Sequence, residues 1–282
     1  MEAVRQGIVI SPSGVGEVLD LGFNLARRNY RLLLTTALWG IIPAGVLGAL
    51  GNLVLNSAGF GTVGATGSDL GGATGAAAGG AFALLTVIDR VITALTYAAL
   101  CIACARLISP GHEENELSVG SLYGAAFRSF GRLLLWGILI AVLAAPLTIV
   151  FPLGIFLLIR WFVSWNVLLL EGRGPLAVLA RSWDLTQGSW WHTCGVVLST
   201  GLIVSLITWA FFGVLGGAAM LAGFAFGSPA FSAVITALLG IVSSAITEPF
   251  LIAIFTVLYF ELRARAEGFD LEQRALLAAP NP

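Results

Sequence analysis

The chain has 282 residues, of which 58% are hydrophobic and 10% charged, and its formal net charge is -1. Soluble domains carry about 25% charged residues, so this composition excludes an ordinary soluble domain and places the chain in the membrane class. The near-neutral balance offers nothing to a nucleic-acid partner.

In chain order, the opening MEAVRQGIVISPSG has no charged region followed by a long apolar core and a cleavage site, so no cleaved signal peptide is expected. SGVGEVLDLGFNLARRNYRLLL comes next and reads as an amphipathic helix. Val15, Leu19, Phe23, Ala26 and Tyr30 form its apolar face, and Glu17, Asp20, Asn24, Arg27, Arg28 and Arg31 its polar face. It leads into the first of six apolar runs, 32–55, 82–108, 133–151, 153–170, 192–217 and 231–260. Each is near the roughly 20 residues that a spanning helix needs. Gly45, Gly48 and Gly51 in the first run leave room for close helix contact, within the chain or between copies of it.

The connection Ser57–Ala81 is almost all Gly, Ala, Thr and Ser, and reads as a flexible linker. It has no GxxxxGK pattern for cradling phosphate. Cys101 and Cys104 form CIAC one helical turn apart inside the second run, and Cys194 is alone. A working CxxC usually sits in a turn beside a helix N-terminus, so these three read as buried small hydrophobes.

LSVGSLYGAAFRSFGRLLLWG repeats the first device ahead of the third run. Its apolar residues are Val119, Tyr123, Ala126, Phe127 and Phe130, and Ser118 is its expected cap. The third and fourth runs meet at Phe151-Pro152 and predict a tight hairpin. EGRGPLAVLARSWDLTQGSWW then gives a third interfacial helix, opened by Gly174-Pro175 and closed by Gly188. Leu176, Leu179 and Trp183 share one face, Arg181, Asp184 and Gln187 turn away, and Trp190 and Trp191 stand at headgroup level. The sixth run carries Glu248-Pro249, where proline removes a backbone donor and predicts a kink. Residues 261–282 form a tail.

The expected fold is therefore all-α and polytopic: a single membrane domain over 1–282 with six transmembrane helices. It divides into three repeat units at about 13–108, 118–170 and 175–265, each an interfacial helix plus a helix pair. Six spans put both termini on one side. Twelve of the fourteen arginines lie on that side, Arg90 and Arg160 lie within spans, and the far side carries only Asp69. Positive residues stay cytoplasmic, so both termini are expected inside.

Asp89, Arg90, Arg160 and Glu248 are charges within the membrane, each costing about 2.5–3.5 kcal/mol at mid-bilayer. At about 1.5 Å per residue, Arg160 lies about 15 Å from its inner end at Leu170 and Glu248 about 18 Å from Phe260, so the two are expected to meet. Asp89 is the rival partner, and Asn166, Trp161 and Trp165 lie on the same run as Arg160. Two readings stand side by side: a substrate or proton site, and a buried ion pair that fixes packing. Asp89 and Arg90 lie nearer the outer interface, where long side chains snorkel.

VGEVLDLGFNLARRNYRLLL, LEGRGPLAVLARSWDLTQGSWW and LYFELRARAEGFDLE together resemble the glycerophosphoryl diester phosphodiesterase membrane domain family, similar to the YciC-like bacterial six-span membrane proteins. The resemblance covers most of the chain outside the Gly-rich connection and the last ten or so residues. It implies a bacterial plasma-membrane location and a helical bundle, and it brings no catalytic residues. Some members are fused to a soluble phosphodiesterase. Metal-dependent hydrolysis needs converging carboxylates and histidines, and only His112, in GHEEN, and His192 exist. Neither sits in a ligand-like cluster, and no Ser/His/Asp set, HExxH or nucleophile elbow occurs.

The expectation is a non-catalytic protein of the bacterial inner membrane with no cofactor and no metal. It is a scaffold or accessory membrane domain that engages membrane lipids, and a partner protein or a second copy of itself. Phe23, Arg27, Arg28, Phe127, Arg181, Trp183, Trp190 and Trp191 are its expected interfacial anchors. The alternative is a small transporter or lipid-handling channel built on Arg160 and Glu248.

Overall fold

In the computed structural model, residues 11–57, 73–109, 117–147, 151–218, 221 and 229–268 are described. Arg5, Asp69, His112, Arg274 and most of the expected tail lie outside them, as do residues 58–72 of the Gly-rich connection. No strand occurs among the described residues. The helices in order are α1 Val15–Arg28, α2 Tyr30–Ser57, α3 Ala73–Ile108, α4 Val119–Arg128, α5 Phe130–Leu147, α6 Phe151–Arg160, α7 Ser164–Leu170, α8 Pro175–Thr186, α9 Trp190–Ala210 and α10 Pro229–Glu267. A π-helical turn, Phe211–Gly216, prolongs α9.

The local start signals are those the sequence predicts. Ser118 accepts a hydrogen bond from the Ser121 amide at 3.2 Å and caps α4. Pro175 occupies the first turn of α8 after Gly174, and Gly188 takes a φ of 79° just beyond its end. In α1 the Glu17 carboxylate reaches back to the Gly14 amide at 2.9 Å. The start of α3 departs from expectation. Residues 73–81, assigned to the flexible linker, already belong to that helix, because Ala-rich sequence propagates a helix once an apolar segment anchors it.

Among the described residues, four helices are long and apolar enough to cross a membrane: Tyr30–Gly51, Ala77–Ile108, Trp190–Gly216 and Val234–Glu267. A fifth is reached if Val119–Arg128 and Phe130–Leu143, bent by 57°, count as one broken span. The run 153–170 is interrupted, because α6 stops at Arg160 and α7 starts at Ser164. At the break the Trp161 carbonyl accepts from the Ser164 amide at 3.0 Å and from Ser164 Oγ, and the Arg160 carbonyl accepts from Ser182 Oγ at 2.8 Å. The expected hairpin at Phe151-Pro152 adjoins residues 148–150, outside the described set. Helix α10 runs on through Pro249, and α2 through Pro43.

The chain divides into two compact units. Unit 1 comprises Met1–Thr36, Tyr97–Leu202 and Pro249–Pro282, and unit 2 comprises Ala37–Thr96 and Ile203–Glu248. The division falls within α2, α3, α9 and α10 and cuts across two of the segments read as repeats, 13–108 and 175–265, while 118–170 lies within unit 1. Unit 1 has a core of fully buried large side chains, among them Leu25, Leu33, Leu100, Ile108, Leu122 and Tyr259.

The three short helices bury a face rotated from the expected one, sharing with it only Ala26, Ala126 and Leu179. Helix α1 buries Val18, Gly22, Leu25 and Ala26, while Phe23 remains exposed. Helix α4 buries Leu122 and Ala126 and leaves Phe127 out, and α8 buries Val178, Leu179, Ser182, Leu185 and Thr186 and leaves Leu176 out. Each helix therefore has two apolar stripes, one turned into unit 1 and one turned away from it.

Candidate functional site

The last helix ends in ELRARAE, and its charges organise unit 1. Glu261 is fully buried. One of its oxygens accepts from the Ser13 amide at 3.2 Å and from Arg265 Nε, one turn on. Arg265 also donates to the Ser13 carbonyl, so a buried carboxylate and one guanidinium clamp both polar groups of the Ser13 backbone just ahead of α1. His192 Nε2, in the first turn of α9, lies 3.2 Å from the other oxygen, near enough for attraction but off line for a hydrogen bond.

A second cluster lies one turn further on. Glu171 accepts from Arg173 at 2.7 Å, from Arg181 Nε at 3.2 Å and from the Tyr259 hydroxyl at 3.0 Å. Glu267 takes Arg181 Nη2 and, at 3.1 Å, Arg263 Nε. Partial burial works against the charged form of Arg181, but Glu267 and Glu171 outweigh it and raise its pKa above the usual arginine value. Arg181, expected as an anchor on the lipid side, is thus committed to tying α8 to α10. Glu171, Glu261, Glu267 and Tyr259 were not singled out in the sequence. The i,i+4 pairs Glu261/Arg265 and Arg263/Glu267 were the legible signal. The long-range partners, 88 residues apart for Tyr259 and Glu171, had no local signature.

Of the expected intramembrane set, Arg160 and Asn166 belong to unit 1, and Asp89, Arg90 and Glu248 to unit 2. Arg160 sits over two aromatic rings, 4.8 Å from the Trp183 centroid and 5.3 Å from that of Phe156. Its Nε and Nη1 have no hydrogen-bond partner among the described residues. Asn166, expected to line a cavity with Arg160, is instead a buried cross-link. Its Nδ2 donates to the Phe255 carbonyl at 3.3 Å and its Oδ1 accepts from the Cys101 thiol at 3.0 Å. In unit 2, Arg90 Nε lies 3.8 Å from Asp89, with an exposed guanidinium.

The remaining expected anchors fall in unit 1. Phe23 stacks on Phe250 at 4.5 Å and Phe127 on Phe130 at 6.1 Å. Trp183 meets Phe156 edge-on, and Trp190 stacks on Phe156 while its Nε1 donates to the Phe156 carbonyl at 3.2 Å. Trp191, Arg27 and Arg28 are exposed. Cys101, Cys104 and Cys194 are free and buried. Among the described residues no group of three or more His, Cys, Asp or Glu side chains could hold a metal ion.

These features define a class: an all-helical protein with several helices of membrane-spanning length, compatible with an integral membrane protein. Comparison with family models, with curated proteins and with solved structures finds no match to this chain.

Proposed function

We propose that the chain is a multi-pass protein of the bacterial inner membrane, with both termini cytoplasmic. In this reading it is a non-catalytic scaffold or accessory membrane domain that engages lipid and a partner protein or second copy. The observation that carries the reading is how unit 1 uses its charges. Glu171, Glu261 and Glu267 are each bonded to arginines, Glu261 also to the Ser13 amide and Glu171 also to the Tyr259 hydroxyl. Such carboxylates tie separate segments into one platform.

The outward stripes of the short helices support a position at the membrane surface. Phe23, Phe127, Leu176 and Trp191 are exposed large apolar side chains beside exposed Arg27, Arg28 and Arg128, a mixture that suits the headgroup layer. Of the twelve arginines among the described residues, only Arg90 falls in unit 2, which supports placing unit 1 on the cytoplasmic side. The resemblance to the glycerophosphoryl diester phosphodiesterase membrane domain family favours the bacterial location.

One observation favours transport as a second reading. The buried Nε and Nη1 of Arg160 lack hydrogen-bond partners, and a charged group inside an apolar bundle is a substrate-site candidate.

Native mass spectrometry of the protein extracted gently from its own membrane tests the proposal. Specific polypeptides, or a second copy, at fixed stoichiometry are expected. A monomer that carries a defined small molecule, lost on Arg160→Met, would replace the scaffold reading with transport.

A further inference from the structure

Unit 1 contains an open cavity of about 450 Å³. Arg106, Ser129 and Arg263 give it polar walls, and Ile102, Leu169 and Phe260 give it apolar ones. No carboxylate is among its lining residues. Arg263 already donates to Glu267. Arg106 is half-buried and takes no hydrogen bond or ion pair among the described residues. Ser129 Oγ accepts from Arg132 Nη2 at 3.0 Å, and its own proton is left to donate. A partly desolvated guanidinium with no counter-charge is costly, and an anion removes the cost. Arginine forks and hydroxyls together match the oxygens of a phosphate.

Position narrows the ligand. Arg106 stands in the last turn of the span Ala77–Ile108, and Arg263 is four residues from the end of Val234–Glu267. If those helices cross a bilayer, their ends lie at the level of the headgroup phosphates. The apolar wall of Ile102, Leu169 and Phe260 suits a ligand whose phosphate carries a hydrocarbon substituent.

We propose that this cavity binds the phosphate of an amphiphilic phosphoester. Arg106 is its principal ligand, the Ser129 hydroxyl is a further donor, and the substituent lies along the apolar wall. An anionic phospholipid and a soluble phosphate share this chemistry, and the apolar wall favours the lipid. The inference rests on the membrane reading above and gives it a specific lipid site.

The test uses the full chain in nanodiscs of phosphatidylglycerol and phosphatidylcholine, with native mass spectrometry counting the phosphatidylglycerol retained after release. The unsubstituted protein is expected to retain one. Arg106→Gln should lower retention about tenfold or more, the scale of losing a charge-assisted fork. Arg31→Gln, at an exposed arginine away from the cavity lining, should leave retention unchanged. Ala125→Leu fills the cavity from α4 with every charge kept and should lower retention likewise, so the outcome holds even if Arg106→Gln unfolds. Displacement of the lipid by inorganic phosphate, with Arg106-dependent phosphate binding in discs of phosphatidylcholine alone, would keep the site and assign it to soluble phosphate. Equal retention by the unsubstituted chain, Arg106→Gln and Ala125→Leu overturns the proposal. Carbonate washing of membranes separates the two failures. A chain that washes off defeats the membrane reading, whereas one that stays and shows equal retention defeats only the cavity.

Discussion

Leu25, Leu33, Leu100, Ile108 and Tyr259 in unit 1 are fully buried, whereas in unit 2 the buried apolar side chains among the described residues are Ala37, Ile41 and Ala245. The large apolar side chains of unit 2 face outward. Trp39, Leu84, Leu206 and Trp209 each leave more than half of their surface open. The difference teaches where each unit finds its stability. Unit 1 has an interior of its own, cross-linked by Asn166, Glu171, Glu261 and Glu267. Unit 2 shows apolar side chains to its surroundings, an arrangement that water would penalise at about 25 cal/mol per Å² and that hydrocarbon would not.

The largest expected effect breaks the comparison from the side of unit 2. Leu206 is 62% exposed and lies ten residues before the end of the span Trp190–Gly216. In a bilayer, Leu206→Asp should cost about 3 kcal/mol of insertion free energy. A glycosylation-based insertion assay reads this as a fall in the inserted fraction. Unchanged insertion with improved solubility would mean that unit 2 faces water or protein there, and the contrast between the units would fail.

Close packing gives the next effect. A Cβ on Gly22 would stand 2.6 Å from the Ile254 Cα, a backbone atom that cannot swing away. A Cβ on Gly45, in unit 2, would clash with Ile241 Cγ1, a side-chain atom that a rotamer change can move. Gly22→Ala should therefore destabilise by about 2–3 kcal/mol through overpacking against backbone, and Gly45→Ala by about 1 kcal/mol. Thermal unfolding of both variants in the same detergent checks the ratio. Equal shifts would show that unit 2 is as tightly packed as unit 1.

The clamp at Ser13 sharpens the picture of unit 1. Removing Arg265 leaves Glu261 buried without its guanidinium, whereas removing both removes the buried charge. Arg265→Leu should cost about 2 kcal/mol, less than for a fully buried pair because Arg265 reaches solvent. The double variant Glu261→Leu/Arg265→Leu should cost less than Arg265→Leu alone. Strict additivity in thermal unfolding would show that the two residues do not act as a pair.

What the sequence made legible was local. The Ser118 cap, the Gly174-Pro175 start and Gly188 depend on neighbouring residues, as does the apolar length of the four long spans. Residues 153–170 satisfied length and composition as well, but at the break the carbonyls of Arg160 and Trp161 accept from Ser182 and Ser164. Ser182 lies 22 residues from Arg160 in sequence, beyond what periodicity can register. The depth arithmetic for Arg160 and Glu248 assumes an unbroken helix to Leu170, whereas residues 161–163 form a turn. The packed face of α1 was misread for a related reason. Val18, Gly22 and Leu25 form a stripe whose smallest member matters most, because only glycine lets α10 approach at Ile254, and a hydrophobicity pattern gives glycine little weight.

The smallest expected effect decides most about function. Arg160 gains cation–π attraction from Phe156 and Trp183, worth about 0.5–2 kcal/mol at such distances. Against this stand the desolvated Nε and Nη1, whose missing hydrogen bonds cost about 1–3 kcal/mol. The opposing terms nearly cancel, so Arg160→Met should change stability by less than about 1 kcal/mol. The break after Arg160 should persist, because the hydrogen bonds at it use backbone carbonyls that methionine also supplies. Under the scaffold reading, the variant should keep both its melting temperature and its co-purifying polypeptides. An unchanged melting temperature with loss of a specific bound small molecule would identify the guanidinium as a ligand-binding group. A large fall in melting temperature would show that Arg160 pairs strongly in the membrane, and would return it to the structural role weighed from the sequence.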